Sequence, residues 1–193
     1  GPTPVYFGSA VRNFGVELLL EALIEVAPPP APRRAGEREV RPEDPSFAGF
    51  VFKIQANMDP RHRDRLAFLR VCSGRFERGM PVINTRTGDR VRLTSSQRVF
   101  GREREIVDEA WPGDVVGIVG RSDVRIGDTL AEDPTLALDR IPSFPPEHFA
   151  YLHGGGPLEQ KRFDKGLTQL LQEGVVQSFH LERAGQRIPV LGA

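Results

Sequence analysis

The chain has 193 residues, with 26 Lys and Arg against 26 Asp and Glu, one Cys, and hydrophobic residues at 39%. That length suits one or two compact domains of about 100 to 200 residues, and the apolar content with 20 Gly is that of a globular chain, which excludes wholesale disorder. A formal charge of zero excludes a surface that is basic throughout, so any anion-binding surface has to be a local patch.

Cys72 is the sole cysteine, which excludes an intrachain disulfide framework, a multi-cysteine zinc site and a CxxC redox pair, and it reads as a small core residue. No apolar run approaches the roughly 20 residues of a membrane span, and no signal-type segment opens the chain. A soluble, cytoplasmic protein with no membrane partner is expected. The opening Gly1-Pro2 without Met reads as a processed or trimmed start.

Along the chain, Val5-Tyr6-Phe7 reads as a buried strand end, and Val16, Leu19, Leu20, Leu23 and Ile24 recur at helical spacing, predicting an amphipathic helix that the following prolines stop. Residues 28–45, with Pro28-Pro29-Pro30, Pro32, Pro42 and Pro45 among charged side chains, read as an extended Pro/Arg-rich linker. Short β-type runs follow at Phe50–Gln55, Leu66–Cys72, Pro81–Asn84, Val91–Thr94, Glu105–Glu109 and Val115–Val119. Turn signals such as Asp59-Pro60, Ser73-Gly74, Pro112-Gly113-Asp114 and Ile126-Gly127-Asp128 separate them. Many short strands without an intervening helix predict a closed antiparallel barrel over residues 46–140, with an open sandwich as the alternative.

A second proline cluster, Pro142, Pro145 and Pro146, marks a boundary. Beyond it, Phe149–Leu152 reads as a strand, and Phe163, Leu167, Leu170 and Leu171 form a helical stripe ending at Gly174. Two strands, Val175–Leu181 and Ile188–Leu191, then flank the turn at Arg183–Gln186. Residues 141–193 therefore read as a connector and a β-α-β-β segment, an incomplete α+β domain.

Catalytic patterns fail one by one. His62-Arg63-Asp64 lacks the Asn a kinase loop needs five residues on, where Leu69 stands. The four histidines never take zinc-ligand spacing, and no GxxxxGK[ST] phosphate loop occurs. The strongest charge feature spans residues 53–78. Seven basic residues, Lys53, Arg61, Arg63, Arg65, Arg70, Arg75 and Arg78, face Asp59, Asp64 and Glu77, an excess of four positive charges. Two readings stand: a phosphate-contacting loop, or a solvated loop laced with Arg–carboxylate pairs.

The run Gly49-Phe50-Val51-Phe52-Lys53-Ile54-Gln55-Ala56-Asn57-Met58-Asp59-Pro60-Arg61-His62-Arg63-Asp64-Arg65, with Arg70-Val71-Cys72-Ser73-Gly74 and Gly79-Met80, closely resembles the bacterial release-factor-3 family of translational GTPases. Glu109-Ala110-Trp111-Pro112-Gly113-Asp114 and Ile126-Gly127-Asp128-Thr129 resemble turns of the second domain in that family and in elongation factor G. Pro4-Val5-Tyr6-Phe7-Gly8-Ser9-Ala10 resembles the end of its GTP-binding domain, and Pro157-Leu158-Glu159-Gln160-Lys161 with Lys165–Leu170 and Glu173–Gln177 the start of its third domain.

The resemblance implies a mainly β chain. Residues 1–27 would end a P-loop GTPase domain, residues 28–45 link, residues 46–140 form the antiparallel β-barrel second domain, and residues 141–193 begin a ferredoxin-like third domain. It implies a parent that uses GTP/GDP and Mg, binds ribosomal RNA and the ribosome, and dissociates stop-codon-reading release factors. Within the chain it implies a partial guanine edge at Ser9 and Ala10 and RNA contacts from Arg61, Arg63 and Arg65, with no catalytic or metal-ligating residue and no cofactor of its own. A free-standing RNA-binding or protein-interaction barrel, or another translational GTPase acting in elongation or ribosome protection, are the alternatives.

Overall fold

A computed structural model of the chain describes residues 3–56, 65–94, 96–100, 103–119, 124–142, 145–151, 156, 159–174, 176–183 and 186–192. It divides into two compact units, Gly1–Ala31 and Pro32–Ala193.

The first unit holds a 3-10 turn, Ala10–Arg12, and the predicted helix α1 (Val16–Val26). The Val5-Tyr6-Phe7 run is not a strand: Val5 is 72% exposed and Phe7 85% exposed. A strand needs a neighbour for its amides and carbonyls, and this unit supplies none among the described residues. The α1 stripe of Leu19, Leu20, Leu23 and Ile24 is exposed, so nothing within the unit covers it.

The second unit opens with a hairpin where an extended linker was predicted. β1 (Arg33–Ala35) and β2 (Arg38–Val40) pair antiparallel around Gly36-Glu37, with Arg33 opposite Val40. Proline frequency hid its anchors. Val40 is buried with Leu136 and Leu138, Asp139 donates its N–H to the Arg34 carbonyl at 2.8 Å, and the Gly36 N–H reaches the Asp139 carboxylate at 2.9 Å.

The main sheet is built on the long hairpin of β3 (Ala48–Ala56) and β4 (Arg65–Ser73). After them come β5 (Phe76–Glu77), β6 (Pro81–Asn84), β7 (Arg90–Arg92), β8 (Ser96–Phe100) and β9 (Glu103–Ile106). The series continues with β10 (Glu109–Ala110), β11 (Val115–Val119) and β12 (Thr129–Ala131). Eight strands form one antiparallel sheet in the order β7-β6-β12-β3-β4-β11-β8-β9, while β5 and β10 pair separately. Its inner face packs Val51, Ile54, Leu69, Val71, Val82, Val116, Ile118 and Leu130 with Phe47 and Phe76, which accounts for the alternating apolar pattern. The sheet curls into an antiparallel half-barrel, in keeping with the mainly β barrel predicted; among the described residues no ladder joins β7 to β9. Its outer face carries the second cluster, Ala48, Phe50 and Cys72 beneath the β1–β2 hairpin, and Cys72 is the core residue expected.

Two similar turns clamp the central hairpin. In Trp111-Pro112-Gly113-Asp114 the Asp114 carboxylate accepts the Trp111 N–H at 2.9 Å, Gly113 N–H donates to the Val71 carbonyl, and Val71 N–H donates to the Asp114 carbonyl. In Arg125-Ile126-Gly127-Asp128 the Asp128 carboxylate accepts the Arg125 N–H at 2.9 Å, and the same pair of backbone bonds brackets Val51. Both turns need a positive φ at the third residue, 99° at Gly113 and 88° at Gly127, which explains the Gly-Asp pair in each.

After β13 (Phe149–Tyr151) comes α2 (Gln160–Gln172), which ends at Gly174, then β14 (Gln177–Arg183) and β15 (Gln186–Gly192). The sheet order is β13-β15-β14, with β15 antiparallel to both neighbours. The strands that flank α2 are thus parallel to each other with a third inserted between them, a split β-α-β arrangement.

Candidate nucleic-acid interface

Of the three arginines predicted to meet RNA, Arg61 and Arg63 lie outside the described residues. Arg65 opens β4 and is half-buried. Its Nη2 donates to the Val124 carbonyl at 2.7 Å, so this guanidinium also ties the hairpin to the residue just before the Arg125–Asp128 turn. The structure does not bring the three together as one described surface.

The rest of the basic run divides in two. Arg75 pairs with Glu77 and with Glu109 at 3.7 Å, and Arg78 pairs with Asp108 at 2.8 Å, all on the exposed β5–β10 side. Exposed pairs of this kind are worth about 0–1 kcal/mol and fit the solvated reading. The Arg75 guanidinium also stands 5.9 Å from the centre of the Trp111 ring, itself 56% exposed. Lys53 and Arg70 instead point outward from β3 and β4, with the Lys53 ammonium 5.6 Å from the Phe68 ring centre and Phe68 packed on Phe52. This outward basic and aromatic strip was legible only as strand alternation.

Sequence reading missed the most constructed polar site. Asp128, 2% exposed, lies beneath the Arg125 turn. Its carboxylate accepts from Arg86 Nε at 2.6 Å and Nη2 at 2.9 Å, from Asn84 Nδ2 at 2.8 Å and from the Arg125 N–H at 2.9 Å. Burial alone would raise its pKa, but hydrogen bonds from Arg86, the Arg125 N–H and Asn84, with the Arg86 charge, hold it below the ordinary aspartate value. A cavity of about 330 Å³ opens over this network, and Arg86, Arg125 and Arg140 all line it. The motif Ile126-Gly127-Asp128-Thr129 signalled the turn, whereas the partner arginines lie 42 residues before Asp128, at Arg86, and beyond β12, at Arg140, too far apart to be seen as a group.

At the predicted guanine edge, Ser9 N–H is donated to the Phe14 carbonyl at 2.9 Å, and Phe14 N–H returns to the Ser9 carbonyl at 3.2 Å. Ala10 opens the 3-10 turn, a position whose amide has no acceptor within the helix. The Ser9 amide, by contrast, is engaged within the chain. Among the described residues no group of three or more His, Cys, Asp or Glu could hold a metal ion, and no helix is long and apolar enough to cross a membrane.

Comparison with known proteins places this architecture. Residues 46–133 match the family model "Elongation factor G domain 2", and residues 138–193 match "Class II release factor RF3, C-terminal domain". Proteins named Peptide chain release factor 3 from Symbiobacterium thermophilum and Gloeobacter violaceus are 50% and 52% identical over 191 residues, 99% of this chain and 36% of each relative. A solved structure from Thermus thermophilus superposes with a TM-score of 0.71 at 26% identity, covering 94% of this chain and 26% of that one. The chain thus spans about a third of the length of the curated relatives it matches. A curled elongation-factor-G-type sheet is thus followed by a release-factor-3-type segment, and across almost its whole length the chain shares half of its residues with proteins named Peptide chain release factor 3.

Proposed function

We propose that this chain is the ribosome-contacting and coupling portion of a GTPase that acts in translation termination, using GTP to dissociate stop-codon-reading release factors from the ribosome in the cytoplasm. The observation that carries the reading is the unbroken likeness to proteins named Peptide chain release factor 3, at 50% identity over 191 residues. A likeness confined to residues 46–133 would have supported any elongation-factor-G-like protein; the match over residues 138–193 favours the termination branch.

The residues present fit only one corner of a nucleotide site. The Ala10 amide can face a guanine oxygen, but the chain has no phosphate loop, so GTP and Mg²⁺ belong to the complete protein and no hydrolytic step runs through these residues. What the chain supplies is a clamped β3–β4 hairpin, with Arg61 and Arg63 in the sequence between its strands, and cationic side chains able to pair with RNA phosphate.

The test uses the complete protein with ribosomal termination complexes that carry a fluorescent release factor. Departure of the release factor accelerated by GTP and not by GDP is the expected result. GTP turnover that drives transfer RNA movement and leaves the release factor bound would assign the protein to elongation instead.

A further inference from the structure

The Arg125 turn and its cleft carry an assignment that the loop arginines do not. Three arginines, Arg86, Arg125 and Arg140, are among the residues lining one cavity of about 330 Å³, and the single acidic residue among them is Asp128. Its carboxylate is committed beneath the cleft to Arg86 and Asn84. Two positive charges remain in excess. Arg125 and Arg140 are both exposed. Neither side chain meets a carboxylate among the described residues: the Asp139 carboxylate, next to Arg140 in sequence, caps the Gly36 amide instead.

The cleft is also pre-formed. The Arg125 N–H and carbonyl are both fixed by Asp128, at 2.9 and 3.1 Å, and Gly127 is locked onto Val51, so the backbone that carries Arg125 is held before any ligand arrives. The stem of Arg140 lies over Gly127, where the absence of a side chain leaves it room; a Cβ there would stand 4.0 Å from Arg140 Cγ. Two exposed arginines that line one hollow and meet no carboxylate among the described residues suit an oxyanion with several exposed oxygens, and guanidinium matches phosphate in geometry as well as charge.

We propose that this cleft seats a phosphodiester group of an RNA backbone, with Arg125 and Arg140 as the contacting residues and the Asp128–Arg86–Asn84 network as the frame that positions Arg125. Only the identity of the RNA as ribosomal rests on the function proposed above. Binding through this site would be insensitive to base sequence.

The experiment compares the 193-residue chain with the double variant Arg125→Gln/Arg140→Gln and with a charge-matched control, Arg90→Gln/Arg92→Gln, whose arginines are exposed on β7. Binding to a non-ribosomal RNA hairpin and to small ribosomal subunits is measured over a range of salt concentrations, and arginine Nε–H resonances of the wild-type chain are followed during titration with the hairpin or with inorganic phosphate. The cleft variant is expected to bind about tenfold more weakly or worse, with the salt slope reduced by roughly 0.7 to 0.9 for each phosphate no longer neutralised and a smaller change in the control. The Arg125 and Arg140 resonances should move with RNA. Equal losses in both variants, or no loss in either, would overturn the site. So would resonances that respond to phosphate and ignore RNA, the result expected of a small-anion hollow. Weakened hairpin binding by the cleft variant, combined with a wild-type chain that ignores ribosomal subunits, keeps the cleft and removes the ribosomal reading; unchanged subunit binding by the variant does the reverse.

Discussion

Replacing Asp128 tests whether the buried network holds the Gly127 turn in place. In Asp128→Asn the retained oxygen does best in the position of Oδ2, where it keeps Arg86 Nη2, Asn84 Nδ2 and the Arg125 N–H. The new amide then faces Arg86 Nε, replacing a 2.6 Å charge-assisted bond with two opposed donors. Such a bond is worth about 1.5–3 kcal/mol. The Arg86 side chain is 32% exposed and water relieves part of the loss, so about 2 kcal/mol is expected. Asp128→Ala removes every acceptor and strands the buried Asn84 amide, at about 3–5 kcal/mol. In a unit of this size each kcal/mol lowers Tm by roughly 2–4 °C, so the Asn variant should melt about 4–8 °C below wild type at pH 7. The folded-state pKa of Asp128 is depressed, so its contribution is complete above the unfolded-state value and is lost as pH falls through the folded value. The gap between wild type and the Asn variant should therefore hold from pH 7 to about 5 and narrow below about pH 4. Melting curves across that range decide it: a gap under about 1 °C at pH 7, or one that is unchanged at the acid end, would show that the carboxylate is not what secures the turn.

Gly74→Ala should destabilise far more than Gly79→Ala. Both residues have positive φ, 65° and 85°, at about 1–2 kcal/mol for a side chain, but a Cβ on Gly74 would stand 2.6 Å from the Phe47 backbone nitrogen while that on Gly79 meets nothing. Equal Tm losses would refute the packing. Burial raises the Cys72 pKa against the opposing influence of Arg33 and Arg70, so its reaction with a disulfide reagent at pH 8 should be on the order of 100-fold slower in the folded chain than in urea, and similar rates would place the thiol outside the second cluster. Arg65→Gln should lower Tm through loss of the Val124 bond and leave the salt slope of ribosome binding nearly unchanged, while Arg61→Gln/Arg63→Gln should reduce that slope by up to about 1.4–1.8 at constant Tm. The opposite pattern would make Arg65 an RNA contact and the other two structural.

Strand alternation located Pro81–Asn84 and Val115–Val119 to the residue, because those runs bury one face and end at turn signals. It missed β5 and β10, each two residues long and too short for any period. The β1–β2 hairpin was hidden because its apolar partners, Leu136 and Leu138, lie about a hundred residues later, and a Pro- and Arg-rich composition says nothing of a distant surface waiting to be covered. Val5–Phe7 erred the other way: apolar side chains suggested a strand, but pairing requires a neighbour that composition cannot supply. The candidate site divided along the same line. Contiguous charge pointed to Arg61, Arg63 and Arg65, while the assembled cleft draws on Arg86, Arg125 and Arg140, which only the β6-β12-β3 sheet order brings together.

The two Gly-Asp turns account for why short motifs carried so much of the family likeness. Each inserts its glycine and aspartate backbone around one buried valine of the central hairpin, Val51 on β3 and Val71 on β4, and each closes on itself through its own aspartate carboxylate. The turns are therefore constrained by geometry before any binding role is considered: the third position requires positive φ and the fourth requires a short acceptor that reaches back three residues. The turns differ in what surrounds the aspartate. Asp114 is half-exposed and caps only its own turn, whereas Asp128 is buried and takes two further side chains, so one copy of the device remains purely structural while the other gathers arginines around it. Fixed at Val51, at Val71 and at Arg65 through the Val124 carbonyl, the β3–β4 hairpin has little freedom to adapt along its described length.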